Sequence, residues 1–168
     1  MAYKVNYPEA GATRAGPLPP GYRHLERTAD LDATLHDAAE LLMTWGLHER
    51  CGLHPEATAA RAAPGVEVRL RFAGVLHIPC QVVWAEETPD RVGFGYGSMP
   101  GHPERGEAAF LLEAVDGRVH FTVRSFSRPG TAAARLGGPV VRFLQSRATD
   151  RFAAAMRDAC IRTERHFP

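Results

Sequence analysis

From residue 65 onward the chain alternates apolar and polar positions. Val66, Val68, Leu70 and Phe72 are separated by Glu67, Arg69 and Arg71, the period of two expected of a strand with one buried face. Ile78, Cys80, Val82 and Trp84 make the apolar row of a second strand, closed by the turn-forming Glu87-Thr88-Pro89-Asp90. In the third, Val92, Phe94 and Tyr96 alternate with Gly93, Gly95 and Gly97. A strand face made of glycine carries no side chains, so another backbone, an aromatic ring or a ligand can approach it closely, or the sheet can curl there. Ala108–Val115 and Val119–Ser127 flank Asp116-Gly117, which predicts a tight hairpin because both central residues must take positive φ. Residues 65–127 therefore read as at least five consecutive antiparallel strands.

The period changes on either side. Tyr22–Ala29 reads as a first strand. Leu31, Leu35, Ala38, Leu42 and Trp45 then recur every three or four residues, predicting a helix over 33–45 capped by Asp30 or Asp32, stopped at Gly46 or continued briefly to Cys51. Residues 52–64 read as an alanine-rich linker with a helical turn. At the other end Leu136, Val140, Phe143 or Leu144, Phe152, Met156, Ala159 and Cys160 recur at helical spacing, interleaved with arginines. Gly137-Gly138-Pro139 should split this run into a short helix near 131–136 and a long one starting at Pro139. Residues 1–21, with four prolines and no periodicity, form an extended arm ahead of a single domain over 22–168.

Composition narrows the classes of function. At 168 residues the chain suffices for one domain with a substantial core. Its net charge of +1 gives no broad electrostatic case for nucleic acid or an anionic membrane as partner, although local basic patches remain open. Cys51, Cys80 and Cys160 are odd in number and widely spaced, which disfavours a disulfide framework or a zinc site and favours a reduced, cytoplasmic setting. Neither a signal-peptide pattern nor an apolar run of roughly 20 residues is present. The oligomeric state is not readable.

The order strand, helix, antiparallel meander, long terminal helix is α+β. It resembles the helix-grip fold of the START-like, SRPBCC superfamily, in which a curved antiparallel sheet wraps around a C-terminal helix. A sharper resemblance rests on Tyr7-Pro8-Glu9-Ala10-Gly11-Ala12-Thr13, Leu18-Pro19-Pro20-Gly21-Tyr22, Tyr96-Gly97, Pro100-Gly101-His102-Pro103-Glu104-Arg105-Gly106-Glu107 and Arg124-Ser125-Phe126-Ser127-Arg128-Pro129. With these the chain is similar to the family called domain of unknown function nineteen-ninety. That family implies no catalytic residue set. The superfamily resemblance implies a small apolar or amphipathic ligand and, in some members, cyclisation or hydrolysis.

The densest chemistry lies between the third and fourth strands of the meander. His102 and Glu107 could act as acid and base if the protein is an enzyme, and Glu107, where the loop enters an apolar strand, is the stronger candidate. The equally simple alternative is a surface loop whose charges pair among themselves. A pocket between sheet and helix would be lined by Trp84, Phe94, Tyr96, Phe110, Phe121, Phe143 and Met156, with Glu107, His102, Arg124 or Arg128 as polar anchors. Alternation puts Arg124 opposite the row Val119, Phe121, Val123. The scattered histidines, His48 among them, read as surface residues, and neither a metal-ligand set nor a cofactor fingerprint is present. Three readings follow: a binding domain for a small apolar molecule, an enzyme such as a cyclase or hydrolase on the same scaffold, and a partner-binding module using the arm and the arginine-rich helix.

Overall fold

The structure, a computed structural model, describes residues 2–163; the side chains of 133–134, 139–144 and 161–163 lie outside the described residues. Seven antiparallel strands form one sheet: β1 (Arg23–Leu31), β2 (Leu53–Ala57), β3 (Glu67–Phe72), β4 (Leu76–Glu87), β5 (Arg91–Ser98), β6 (Glu104–Val115) and β7 (Arg118–Pro129). Their order is β1-β7-β6-β5-β4-β3-β2, so the five-strand meander is intact and β1 and β2 close its two edges. Helices α1 (Leu35–Met43) and α2 (Gly46–Arg50) carry the chain from one edge to the other; α3 (Ala132–Leu136) and the 26-residue α4 (Gly138–Thr163) follow β7. The curved sheet around α4 is the α+β helix-grip architecture.

Four local expectations are corrected. Thr34, not Asp30 or Asp32, caps α1, its hydroxyl accepting the Asp37 N–H at 3.1 Å; both aspartates lie too early, in β1 or just after it. The helical run breaks at Trp45, which takes the left-handed φ of 69° expected of Gly46. That conformation is costly for a bulky residue, and it turns the indole inward, where its Nε1–H reaches the Ala59 carbonyl at 3.1 Å. Leu53–Ala57, read as linker, is an edge strand, its central Pro55 tolerated because an edge leaves one row of amides unpaired.

The fourth correction matters most for the site. Val82 pairs with Tyr96 and Trp84 with Gly95, leaving Val83 as an extra residue in β4. Such a bulge moves every later side chain to the other face. Trp84 therefore leaves the row of Cys80 and Val82 and joins the glycine face of β5, and Ala85 takes its place inside. Asp116 and Gly117 do form the expected hairpin, with φ of 49° and 75°.

Candidate functional site

The two faces of the sheet carry different chemistry. On the face that α1, α2 and α4 cover, Cys80, Val82, Phe94, Tyr96, Phe110, Leu112, Phe121 and Val123 meet Leu42, Trp45, Phe152 and Met156 in one buried cluster. Phe94, Tyr96, Phe110, Phe121 and Met156, expected to line a pocket, all lie here. Phe143, expected beside them, is outside the described residues. The rings touch: centroids of Phe94, Tyr96 and Phe110 lie 5.5 to 5.9 Å apart, and Phe152 stands edge-on to Phe110 at 4.9 Å.

At the centre of this cluster is a residue the sequence pattern misplaced. His48 is fully buried, not on the surface. Trp45, Phe94, Tyr96, Phe110 and Phe152 surround its ring at 5.1 to 6.1 Å. Its Nε2 faces the Tyr96 hydroxyl at 3.4 Å, and its Nδ1 has no hydrogen-bond partner among the described residues. Burial alone holds the imidazole neutral, pushing its pKa down to about 3. The same loss of water raises the Tyr96 phenol and the Cys80 thiol above their usual ranges. A buried polar atom left unpaired costs about 1–3 kcal/mol.

Glu104 stands at the open end of the same face. The Gln145 amide donates to its carboxylate, and Gln145 Oε1 accepts from Arg23 Nη1 at 2.8 Å. Burial raises Glu104 to about 7, against the opposing pull of Arg23 and a hydrogen bond from Ser127. His102, on the loop before it, accepts the Glu104 N–H through Nδ1 at 2.9 Å, and burial lowers its pKa to about 4.

The other face is the glycine face, and the N-terminal arm covers it. Glu107 projects here rather than toward the helices, since it pairs with Gly97. Its buried carboxylate accepts from the Tyr7 hydroxyl at 2.7 Å, the Gly11 N–H at 2.8 Å, the Thr13 N–H at 3.0 Å and the Thr13 hydroxyl. Thr13 in turn accepts the Trp84 indole N–H at 2.9 Å. The glycines make room: a Cβ on Gly97 would overlap the Tyr7 phenol, and one on Gly95 would overlap the Trp84 indole and the Thr13 hydroxyl. Arg124 is also on this face, held by the Gly16 carbonyl at 2.9 Å and Glu26 at 3.5 Å. Arg128 lies 4.8 Å over the Tyr22 ring, whose hydroxyl donates to Glu9 at 2.7 Å.

The expected polar anchors are therefore not brought together. Glu107, Arg124, Arg128 and Trp84 belong to the arm side, where four donors occupy the Glu107 oxygens, and no hydrogen bond joins Glu107 to His102. A separate cleft of about 390 Å³ opens on the surface beside α2 and α4, lined by Arg50, Arg151, Ala154, Ala155, Asp158 and Ala159. Among the described residues, no group of three or more His, Cys, Asp and Glu side chains could hold a metal ion, and no helix is long and apolar enough to cross a membrane.

Comparison with known proteins finds the family described as Domain of unknown function (DUF1990) matched over residues 6–155. A UPF0548 protein of Deinococcus radiodurans is 42% identical over 74 residues, 44% of this chain and 37% of that protein. A UPF0548 protein of Arabidopsis thaliana is 35% identical over 75 residues, 40% of this chain and again 37% of that protein. The matched stretch thus spans little more than a third of either relative. Among solved structures, the hypothetical protein jhp0584 from Helicobacter pylori superposes with a TM-score of 0.67 at 10% identity, covering 95% of this chain and 98% of that one. Norcoclaurine synthase from Thalictrum does so with a TM-score of 0.59 at 9% identity, covering 85% and 96%. At these identities the likeness is one of fold.

Proposed function

The chain belongs to the DUF1990 family, whose description records no activity, and from the site itself we propose that it binds a small apolar or amphipathic molecule between the sheet and α4. The observation that carries this reading is His48: a neutral imidazole sealed among aromatic rings with Nδ1 unpaired. A ligand carrying one hydrogen-bonding group on an apolar body satisfies that atom and keeps the aromatic contacts, which is the usual make-up of a small-molecule site. Phe94, Tyr96, Phe110, Phe121 and Met156 form its walls. The strained backbone of Trp45, which brings the indole against His48, supports the same location.

α4 is the wall that parts. Beside the buried apolar contacts, it is tied to the sheet edge by Arg27–Asp150 at 2.9 Å and by Gln145 with Arg23 and Glu104. Water can replace partly exposed polar contacts of this kind at small cost. A norcoclaurine synthase point mutant of the same fold is in complex with a transition state analogue, so this fold is compatible with holding a small molecule.

Native mass spectrometry of the purified protein and of His48→Leu tests the reading. The expected result is a retained small molecule on the native chain that is lost from the variant, with the variant folded. No adduct on the native chain, or the same adduct on both, overturns it.

A second reading, catalysis on this scaffold, is favoured at Glu104 rather than Glu107. A carboxyl titrating near 7 can exchange protons at neutral pH, and Arg23 and Gln145 position it. Once a substrate is in hand, Glu104→Gln should abolish turnover; unchanged turnover removes Glu104 from the chemistry.

A further inference from the structure

The sheet contains two tight hairpins of the same kind and opposite character. At Asp116-Gly117 both residues take positive φ, and the tip carries a carboxylate flanked by Val115 and Arg118. At Ala73-Gly74 both again take positive φ, 51° and 72°, and the Val75 N–H returns to the Phe72 carbonyl at 3.3 Å. The first position of such a turn ordinarily holds Asn, Asp or Gly. Here it is alanine, so the run Phe72-Ala73-Gly74-Val75-Leu76 has no polar side chain. Phe72 is 44%, Val75 80% and Leu76 43% exposed.

The alternating strand directions place this tip at the same end of the sheet as the β5–β6 loop, the start of β6 and α3. Leu136 of α3, 89% exposed, adds a further apolar group at that end. Arg69, Arg105 and Arg135 are exposed there as well, and none of the three makes an ion pair among the described residues. Arg71, by contrast, is neutralised by Glu56 at 2.8 Å. An apolar tip at the same end of the sheet as exposed arginines that form no ion pair among the described residues suits an anionic bilayer surface, where acyl boundary and phosphate are adjacent layers.

We propose that this end of the sheet docks on an anionic lipid bilayer, with the Phe72–Leu76 tip entering the headgroup layer and Arg69, Arg105 and Arg135 facing the lipid phosphates. The inference does not depend on the interior ligand. It is tested by sedimenting the full chain with vesicles of phosphatidylcholine containing roughly one quarter phosphatidylserine and with vesicles of phosphatidylcholine alone. The protein should pellet with the first and not the second. Val75→Asp should reduce the vesicle affinity about tenfold or more, the effect expected from exchanging one inserted apolar side chain for a charge. Val115→Asp, at the opposite hairpin, should leave it unchanged. Circular dichroism verifies that both variants fold. Failure to pellet with either vesicle, or equal pelleting of the native chain and Val75→Asp, overturns the proposal. So does a Val75→Asp chain that loses self-association in light scattering when the native chain ignores vesicles, since the tip would then be covered by a second copy.

Discussion

The two faces of the central strands solve opposite problems with the same backbone. On the arm side the side chains of β5 are absent, and a segment without secondary structure fills the space, its Tyr7, Gly11 and Thr13 converging on Glu107 while Trp84 of β4 bonds Thr13. Each polar atom of that network has a partner, and a fully satisfied buried network rigidifies its surroundings. On the helix side β5 contributes Phe94 and Tyr96, the space is filled by rings, and one nitrogen of His48 goes unpaired. The difference teaches where function is to be sought: a carboxylate with four donors has no capacity left for a substrate, whereas an unpaired imidazole has one bond to offer.

Breaking the arm side should cost the most. Glu107→Leu leaves the Tyr7, Gly11 and Thr13 donors buried without an acceptor and should destabilise the fold by about 3–5 kcal/mol in chemical denaturation, with the arm becoming susceptible to protease. Gly97→Ala forces Tyr7 off the sheet and should cost about 1–3 kcal/mol. Most of that loss should vanish in a Tyr7→Ala background, because the two changes act on one contact.

The helix side is sharpened by pH. His48 and His102 are held below the usual histidine value of 6.5, so they stabilise the fold above that pH and the contribution is lost as pH falls. Glu104 is raised above its usual 4.5, so its contribution is present below that value and lost as pH rises through 7. Near pH 5.5 the unfolded chain gains a proton on each histidine while the folded chain holds one on Glu104. The net of about one proton means stability rising by about 1.4 kcal/mol per pH unit. His48→Leu should flatten that slope, as urea denaturation between about pH 5 and 6 will read; an unchanged slope places a proton on folded His48. The smallest effect belongs to Trp84→Phe, which loses one indole bond to Thr13 and should cost about 1 kcal/mol.

The strand meander, the Asp116-Gly117 turn and the two C-terminal helices were legible because period and turn chemistry are local signals. What was not legible depended on contacts distant in sequence. The bulge at Val83 leaves no mark in the alternation, so Trp84 read as interior when it faces the arm. Glu107 was expected as an anchor of the pocket between sheet and helix, but the side it points to follows from pairing with Gly97, which a single strand does not reveal. The glycine row did announce close approach; that the approaching groups are Tyr7 and Thr13, some 90 residues earlier in the chain, emerges only from the fold. His48 was obscured because five residues of helix are too few to display a period.

The two tryptophans give each face its own reporter, Trp45 bonded to Ala59 among the rings and Trp84 bonded to Thr13 beneath the arm. The most direct measurement is therefore the nitrogen-15 spectrum of the two indole N–H groups during titration with the amphipathic probe anilinonaphthalene sulfonate. A shift of the Trp45 resonance with that of Trp84 unmoved is the predicted result. Movement of Trp84 with Trp45 unchanged would contradict the assignment of binding to the helix side.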